Sequence, residues 1–277
     1  MQIKLNDKII DLSTPVVMGI VNITPDSFYS ESRHSTEKHI LQSVEKILAD
    51  GGRIVDIGGY SSRPSAANVT TDEEIRRLSF ALDVILKEFP DTLISIDTFR
   101  SEVAKHTVDN YQVAIINDIS GGTLDENMFG TIAELNVAYV LMHMRGTPAT
   151  MQQYTQYDNL TAEVLAFLQQ RLSQLRLLGV NDVIIDPGFG FSKTLEQNYT
   201  LLREMSYLSV LDAPILAGVS RKSMIYNLLD ITPQEALNGT TAVNMLALSE
   251  GASMLRVHDV KEAVEAVRIY ELFKNSK

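Results

Sequence analysis

The sequence predicts a (β/α)8 TIM barrel preceded by a short N-terminal β-hairpin. Eight short apolar runs, rich in Val and Ile, recur along the chain, and helical patterns alternate with them. Strict alternation of strand and helix indicates a parallel sheet with right-handed crossovers. Eight such units within about 250 residues are typical of the closed barrel, whose functional site lies at the carboxyl ends of the strands. Polar residues end most of the apolar runs, so we expect a polar barrel mouth.

A doubly wound open sheet is the alternative fold. It is disfavoured because no Gly-x-Gly-x-x-Gly fingerprint follows the first strand. No linker or charge run divides the chain, and 277 residues is an ordinary length for one barrel domain. We therefore expect a single domain over residues 1–277.

The strands follow from the apolar pattern. Residues 2–12 alternate apolar and polar side chains, which predicts a hairpin that covers the bottom of the barrel. The barrel strands follow as short apolar runs, typical of strands buried on both faces. They are predicted at 16–21, 54–57, 93–96, 113–116, 138–142, 183–185, 214–217 and 254–257.

The helices follow from periodicity and capping residues. Ser35 or Thr36 begins the first helix, and Gly51-Gly52 ends it. A capping box at 71–74 begins the second helix. Further helices are predicted at about 101–108, up to Gly179, around 201–208, at 233–250 and after Asp259.

Composition limits the function classes. The chain has no Cys, which excludes disulfides, a thiol nucleophile and a Cys-ligated metal. The N-terminus lacks the apolar core of a signal peptide, and no apolar run is long enough to span a membrane, so we expect a cytoplasmic protein. A net charge of −11 argues against a nucleic-acid partner. It also makes any cationic cluster informative, because an anionic substrate requires one.

The strand ends carry the candidate chemistry. In a barrel the strand-end residues converge on one mouth. Two carboxylates on different strands then lie near an amide group, which both donates and accepts hydrogen bonds. Such a set fits an aminated heterocycle, whereas no His/Asp spacing resembles a transition-metal site. Taken singly, each Asp could instead be a buried carboxylate satisfied by backbone amides. The strand-end residues are Asn22, Asp56, Asp97, Asn117, Asp118, Asp186, Lys222 and Arg256.

Basic residues form a second set. Arg256 and His258 are two apart at a strand end, so they point the same way. With Arg63 they indicate an anion site suited to phosphate, and Lys222 follows the seventh strand. The alternative is that Arg256 and His258 pair with acidic neighbours. His143, a lone histidine at a strand end, is interpreted as structural.

Two groups of motifs are spread over nearly the whole chain. The first group contains Met-Gly-Ile-Val-Asn-Ile-Thr-Pro-Asp-Ser-Phe at 18–28, Asp-Ile-Gly-Gly at 56–59, Ser-Ser-Arg-Pro at 61–64 and Ser-Ile-Asp-Thr at 95–98. The second contains Ile-Asn-Asp-Ile-Ser-Gly-Gly at 116–122, Met-His-Met-Arg-Gly-Thr-Pro at 142–148, Asp-Pro-Gly-Phe-Gly-Phe-Ser-Lys at 186–193, Gly-Val-Ser-Arg-Lys-Ser at 218–223 and Arg-Val-His-Asp at 256–259. Together these motifs resemble those of the dihydropteroate synthase family of pterin-binding barrels.

The resemblance implies a set of site residues. For the pterin it implies Asp97, Asn117, Asp186 and Lys222, with Met142 and Phe191 packing around it and Gly218 in the same binding set. For the pyrophosphate it implies Asn22, Arg256 and His258, with Mg²⁺ bridging Asn22 and the phosphate oxygens. For p-aminobenzoate it implies Ser62, Arg63, Pro64 and Ser223. The residues expected to act in the catalytic step are Lys222, Arg63, Asp97 and Phe28.

The resemblance also implies an activity. The family is a transferase of folate biosynthesis that joins 6-hydroxymethyl-7,8-dihydropterin pyrophosphate to p-aminobenzoate and releases pyrophosphate. It is the target of sulfonamides and is commonly a homodimer, so we expect small-molecule substrates, a homodimer and no membrane or nucleic-acid partner.

Two loops depart from the family pattern. The second loop usually reads Glu-Ser-Thr-Arg-Pro-Gly, and here Tyr60 and Ser62 replace its Glu and Thr. The first loop usually continues Ser-Phe-Ser-Asp-Gly-Gly, and here Ser30 stands at the Asp position, with Glu31 one residue later. These departures keep open a pterin-binding paralogue without catalysis. A second alternative, a methyltetrahydrofolate corrinoid methyltransferase, needs no pyrophosphate site and is disfavoured by Arg256 and His258.

Overall fold

The computed structural model describes residues 1–23, 33–60 and 69–276. Its first two strands, β1 (Gln2–Leu5) and β2 (Lys8–Asp11), form the predicted antiparallel hairpin. Asn6 adopts a left-handed backbone conformation in the turn, with φ of 54°. Asn tolerates this conformation better than most residues, which suits a tight reversal.

Eight parallel strands then form the barrel, as the sequence predicts. Neighbouring strands pair in chain order from β3 to β8, and β10 pairs with both β3 and β9. The ring closes between β8 and β9, where Ile185 forms a parallel bridge to Ile215 and donates to Pro214 O at 2.8 Å. The strands are β3 (Val16–Asn22), β4 (Ile54–Gly58), β5 (Leu93–Asp97), β6 (Ile115–Asp118), β7 (Ala138–Met142), β8 (Val183–Asp186), β9 (Leu216–Ala217) and β10 (Met254–Val257).

Helices surround the barrel in the described part of the chain. No helix there is long and apolar enough to cross a membrane. The α-helices are α1 (Arg33–Ala49), α2 (Thr71–Glu88), α3 (Ser101–Tyr111), α4 (Met128–Leu135), α5 (Leu160–Leu177), α6 (Leu195–Arg203), α7 (Ser223–Leu229), α8 (Leu237–Ser249) and α9 (Val260–Asn275).

Two apolar layers hold this architecture together. The larger layer lies between the outer faces of the strands and the helices. The smaller layer fills the amino-terminal end of the barrel, where Ile3, Leu5 and Ile10 of the hairpin pack with Met18 and Ile54. The hairpin therefore closes the bottom of the barrel, as predicted, and leaves the carboxyl end for the functional site.

Several helix boundaries differ from the prediction. The N-cap of α2 is Thr70, whose hydroxyl accepts from Glu73 N at 3.3 Å, so the capping box at 71–74 was wrong by one residue. Thr70 and Thr71 are each followed three residues later by Glu, so the sequence offers both registers. Glu74 is instead buried and forms an ion pair with Arg100.

Other corrections concern the connections. Helices α4 and α7 were not predicted: α4 is short and buries only two side chains, Met128 and Ile132, and α7 has only seven residues. The predicted helix over 233–250 is a 3-10 turn, Pro233–Glu235, followed by α8. The last helix begins after Asp259 as predicted, but the Asp259 carboxylate binds Arg221 instead of capping the helix.

Candidate active site

Polar residues from neighbouring strands meet at the carboxyl end of the barrel. The parallel register pairs Asn22 with Gly58, Gly58 with Asp97, and Asp97 with Asn117. These four residues therefore form one row across β3, β4, β5 and β6. Asp186 ends β8 opposite Met142 in the same way. The mouth predicted from strand ends is thus present in the barrel.

A buried charge cluster lies at the centre of the mouth. Arg256 donates from Nε to Asp56 Oδ2 at 2.6 Å and from Nη2 to Asp97 Oδ2 at 2.7 Å. The Asp56 side chain is completely buried, and those of Arg256 and Asp97 are about four-fifths buried, with 19% and 20% exposed. Each of these charged side chains therefore needs an oppositely charged partner, because an unpaired buried charge is strongly destabilising.

The pKa values in this cluster reflect burial and charge together. Burial raises the pKa of Asp97 to about 7, and the positive charge of Arg256 opposes that rise. Burial disfavours the charged form of Arg256, but Asp56 and Asp97 outweigh it and raise the pKa of the guanidinium. Arg256 therefore pairs with acidic neighbours, as the alternative interpretation of the sequence expected. Its guanidinium group stays positively charged at the mouth.

Asp56 also orients Asn117. Asn117 Nδ2 lies 3.3 Å from Asp56 Oδ1 and 3.4 Å from Asp56 Oδ2. A carboxylate only accepts hydrogen bonds, so the amide must turn its NH₂ group toward Asp56. Asn117 therefore presents Oδ1 away from Asp56, as an acceptor for an N–H donor.

The loop that follows β8 fixes Asp186. Gly188 N donates to Asp186 Oδ1 at 2.7 Å. Gly188 has φ of +73°, and a Cβ there would lie 2.0 Å from His143 O, so no other residue fits without moving the backbone. Burial raises the pKa of Asp186, and the positive charge of Lys222 opposes that rise. The second oxygen of this carboxylate, Oδ2, lies on the side of Gly218.

Lys222 lies beside this carboxylate at the start of α7. Its Nζ donates to Phe189 O at 2.6 Å and lies 4.8 Å from the centre of the Phe191 ring. Burial lowers the pKa of Lys222 to about 8, and Asp186 opposes the change. Gly218 gives room here, since a Cβ at that position would be 3.7 Å from Lys222 Nζ and 3.9 Å from Asp186 Oδ2.

Apolar side chains border the polar groups on one side. Met142 and Phe191 are buried in a small cluster with Ile119, Met144 and Met151. An apolar surface beside a few oriented polar groups is typical of a site for a flat heterocycle. The structure thus brings together Met142 and Phe191, as the sequence analysis expected.

His258 has partners different from those of Arg256. Its backbone N–H donates to Ser220 Oγ at 3.1 Å, and its Nδ1 lies 3.1 Å from the same oxygen. Ser220 Oγ can donate to an unprotonated Nδ1 or accept from a protonated one, so this contact orients the His258 ring in either case. His258 and Asn22 are exposed, and Ser223, the first residue of α7, is half-buried.

Four predicted site residues lie outside the described part of the chain: Phe28, Ser62, Arg63 and Pro64. Ser30 and Glu31 of the first loop also lie outside it. Tyr60 is described and packs edge-on against Phe99, with ring centres 5.4 Å apart.

Three residues that organise the site had no role predicted from the sequence. Asp56 was identified only as a strand end, and Lys193 and Ser220 were assigned no role. Lys193 belongs to the Asp-Pro-Gly-Phe-Gly-Phe-Ser-Lys motif, and Ser220 precedes Lys222 by two residues in another motif. Their places in these motifs were the sequence signal that could have identified both residues. His143 is buried as a structural residue would be, with its ring edge-on to Phe167 at 5.0 Å.

Comparisons with known proteins agree with this geometry. The family model described as "Pterin binding enzyme" matches residues 18–258. A dihydropteroate synthase of Escherichia coli K12 is 38% identical over 270 residues, covering 97% of this chain and 95% of the relative.

Solved structures give the same result. A Yersinia pestis dihydropteroate synthase in complex with a sulfonamide drug has a TM-score of 0.92 and 37% identity, with both chains fully covered. A Xanthomonas albilineans dihydropteroate synthase in complex with 7,8-dihydropteroate has a TM-score of 0.87 and 32% identity, again with both chains fully covered.

Proposed function

This chain belongs to the pterin-binding enzyme family and, within it, to the dihydropteroate synthases, and from that premise we propose how its barrel mouth performs the reaction. The substrates are 6-hydroxymethyl-7,8-dihydropterin pyrophosphate and p-aminobenzoate, and the products are 7,8-dihydropteroate and pyrophosphate. The observation that supports this most strongly is the set of oriented polar groups around one mouth: Asp97, Asn117, Asp186, Lys222 and Arg256.

Asp186 and Asn117 recognise the pterin ring. Asp186 uses Oδ1 for Gly188 N, and its Oδ2 accepts from pterin N–H groups. Asn117 Oδ1 accepts a further N–H because its NH₂ group is turned to Asp56. Lys222, held by Phe189 O beside the Phe191 ring, donates to a pterin acceptor atom. A pterin carries both donors and acceptors at its edges, so this mixed set is complementary to it.

Arg256 and His258 act on the pyrophosphate. Arg256 remains positively charged between two carboxylates, and Ser220 orients the His258 ring through its contact with Nδ1. N–H donors aimed at a leaving group stabilise the negative charge that builds on it in the transition state. Asp97, which shares Arg256 with Asp56, links the pterin side of the mouth to the pyrophosphate side.

Magnesium fits this site through Asn22. Among the described residues no group of three or more His, Cys, Asp or Glu side chains forms a metal cage. Mg²⁺ commonly uses one or two protein oxygens together with substrate phosphates, and the exposed Asn22 amide oxygen at the end of β3 is such a ligand. When bound, the ion would neutralise negative charge on the pyrophosphate.

The condensation is a substitution at the pterin methylene carbon. The bond from this carbon to the pyrophosphate oxygen breaks, and the amine nitrogen of p-aminobenzoate forms a bond to the same carbon. The proton that the nitrogen loses passes to water. A neutral aromatic amine needs no strong base to attack this carbon. Ser223 at the start of α7, with Ser62, Arg63 and Pro64, borders the p-aminobenzoate, and Phe28 shields the carbon from water.

The enzyme is also proposed to be a homodimer. Large exposed apolar side chains occur on α7, α8 and α9, where α8 packs against both α7 and α9. Exposed apolar side chains on neighbouring helices are candidates for an association site. These are Leu228, Leu229, Leu246, Ile269, Leu272 and Phe273.

Asp186→Asn tests the pterin assignment. The amide can keep its oxygen toward Gly188 N, so the fold should persist, but Nδ2 then meets the pterin donors where Oδ2 accepted them. We expect pterin binding to weaken by about 2–5 kcal/mol, measured by calorimetry with a pterin that lacks pyrophosphate. Asp109→Asn, on the exposed face of α3, is the matched control and should bind as the wild type does. Unchanged affinity in Asp186→Asn would remove Asp186 from the site.

A further inference from the structure

Lys193 is a buried lysine next to the loop that follows β8, with 3% of its surface exposed. Its Nζ lies 2.9 Å from Gly188 O, 3.0 Å from Phe191 O and 3.1 Å from His143 Nδ1. An ammonium group has three N–H donors, so these three acceptors match it completely. Burial lowers the pKa of His143 to about 2, so its ring is neutral and accepts at Nδ1.

These contacts hold a loop with an unusual backbone. Gly188 and Gly190 have φ of +73° and +82°, and Ser192 has φ of +48°. The loop thereby turns the carbonyls of Gly188 and Phe191 toward the interior, where Lys193 is their side-chain donor. Without Lys193, Gly188 O would keep the backbone donor Phe191 N at 3.2 Å, whereas Phe191 O would lose its charged donor. Loss of a donor to a buried acceptor is costly, so Lys193 influences the loop conformation.

The same loop supplies the pterin contacts on its other side. Gly188 N fixes Asp186, Phe189 O holds Lys222 Nζ, and the Phe191 ring lies under that ammonium group. Two of these three loop residues, Gly188 and Phe191, are also the ones whose carbonyls bind Lys193. A displacement at Lys193 would therefore reach both Asp186 and Lys222.

Lys193 also acts on Asp186 through charge. Burial raises the pKa of Asp186, and Lys222, Arg256 and Lys193 each oppose that rise. Burial lowers the pKa of Lys193 to about 7, which Asp186 opposes and which Lys222 and Arg145 reinforce. The charged groups that face this pair are thus Lys222, Arg256 and Arg145, with neutral His143 beside them.

We infer that Lys193 is a positioning residue for pterin recognition: it fixes the 186–193 loop and supports the ionised Asp186 carboxylate without contacting the pterin. This inference rests on the proposed pterin-binding role of Asp186. It gives the lysine at the end of the Asp-Pro-Gly-Phe-Gly-Phe-Ser-Lys motif a task distinct from that of Lys222.

Two substitutions separate the hydrogen bonds from the charge. Lys193→Met keeps an unbranched apolar chain and removes both the donors and the charge. Lys193→Gln removes the charge but retains an NH₂ group. Lys105→Met, on the exposed side of α3 and paired with Asp109, is the control. The probe is a 7,8-dihydropterin without pyrophosphate, titrated by calorimetry from pH 5 to pH 9, and the melting temperature of each variant is recorded alongside.

We expect Lys193→Met to weaken pterin binding about 10- to 100-fold at about pH 6, below the pKa of Lys193, where the wild-type side chain is mostly an ammonium group. Lys193→Gln should lose less affinity. In both variants the acid limit of binding should move to higher pH, because Asp186 loses a positive neighbour and takes up its proton more readily. If Lys193→Met does not fold, the pterin affinity and pH profile of Lys193→Gln alone test the inference.

A lower melting temperature with wild-type pterin affinity and an unchanged pH profile would overturn the inference, because Lys193 would then only stabilise the fold. If the wild type itself failed to bind the pterin, the proposed function would be wrong and the inference with it. Loss of binding in Lys105→Met as well would also contradict it, since the effect would not be specific to Lys193.

Discussion

Several polar side chains at the mouth are oriented by a neighbour before a ligand binds. Asp56 turns the Asn117 amide, Gly188 N holds one oxygen of Asp186, and Ser220 contacts both the backbone and the ring of His258. Groups fixed in this way need no reorganisation at the moment of reaction, which is the condition for strong electrostatic stabilisation.

Ser220→Ala tests whether the Ser220 hydroxyl orients the His258 side chain. The variant loses the hydroxyl that contacts both the backbone N–H and the Nδ1 atom of His258. We expect a loss of roughly 1 kcal/mol in the binding of the pterin pyrophosphate. Binding of the same pterin without pyrophosphate should not change, because Ser220 is not among the proposed pterin contacts. Calorimetry with the two ligands measures the difference.

Ser209→Ala, at an exposed position, is the control for a lost serine hydroxyl. NMR of the imidazole nitrogens gives a second measurement: the Nδ1 resonance of His258 should shift in Ser220→Ala, because this nitrogen loses its hydroxyl partner. Equal losses for the two ligands would mean that Ser220 supports the fold of the loop and not the pyrophosphate contact.

Single residues of the site could be predicted from the sequence, but their partners could not. A polar residue at the end of a buried strand identifies Asp97, Asn117 and Asp186 without a structure. The contact of Arg256 with Asp56 joins residues 200 positions apart, and only the closure of the barrel brings them together. Asp56 therefore had no predicted role, although it is the partner of both Asn117 and Arg256.

At the scale of the elements, strands were easier to predict than helices. Buried parallel strands are apolar on both faces, so each one stands out as a continuous run. Helix α4 has eight residues with Gly130 in its interior, too short for a clear period. Pro233 opens a 3-10 turn ahead of α8, and the sequence alone did not separate the two.

The N-terminal hairpin gives a prediction about stability. Leu5 is fully buried in the layer at the bottom of the barrel. Leu5→Ala should lower the free energy of unfolding by about 2–5 kcal/mol, because it removes apolar contacts and leaves a cavity. Urea denaturation followed by circular dichroism measures this. Turnover at low temperature should be unchanged, since the hairpin lies at the end of the barrel opposite the site.

Ile9→Ala is the matched control, because Ile9 belongs to the same hairpin but is 69% exposed. It should change stability by no more than about 0.5 kcal/mol. Similar losses in the two variants, or a loss of turnover in folded Leu5→Ala, would contradict the role of the hairpin as a cover for the bottom of the barrel.

At the scale of the whole molecule, the proposed homodimer depends on the exposed apolar side chains of the last helices. Leu272 and Phe273 of α9 are 75% and 74% exposed. The double variant Leu272→Glu, Phe273→Glu should sediment with the 30.8 kDa mass of one chain, whereas the wild type should sediment with twice that mass. Leu177→Glu, which changes an 88% exposed residue of α5, should remain dimeric. A monomeric wild type would refute the proposal.

The most direct test of the account is the release of pyrophosphate from 6-hydroxymethyl-7,8-dihydropterin pyrophosphate. A coupled assay follows it with and without p-aminobenzoate, in the presence of Mg²⁺. We predict rapid release that depends on p-aminobenzoate, with one 7,8-dihydropteroate formed per pyrophosphate, and strongly reduced release in Asp186→Asn. Binding of the pterin pyrophosphate without p-aminobenzoate-dependent release would contradict the account, because the mouth would then recognise the pterin without catalysing its transfer.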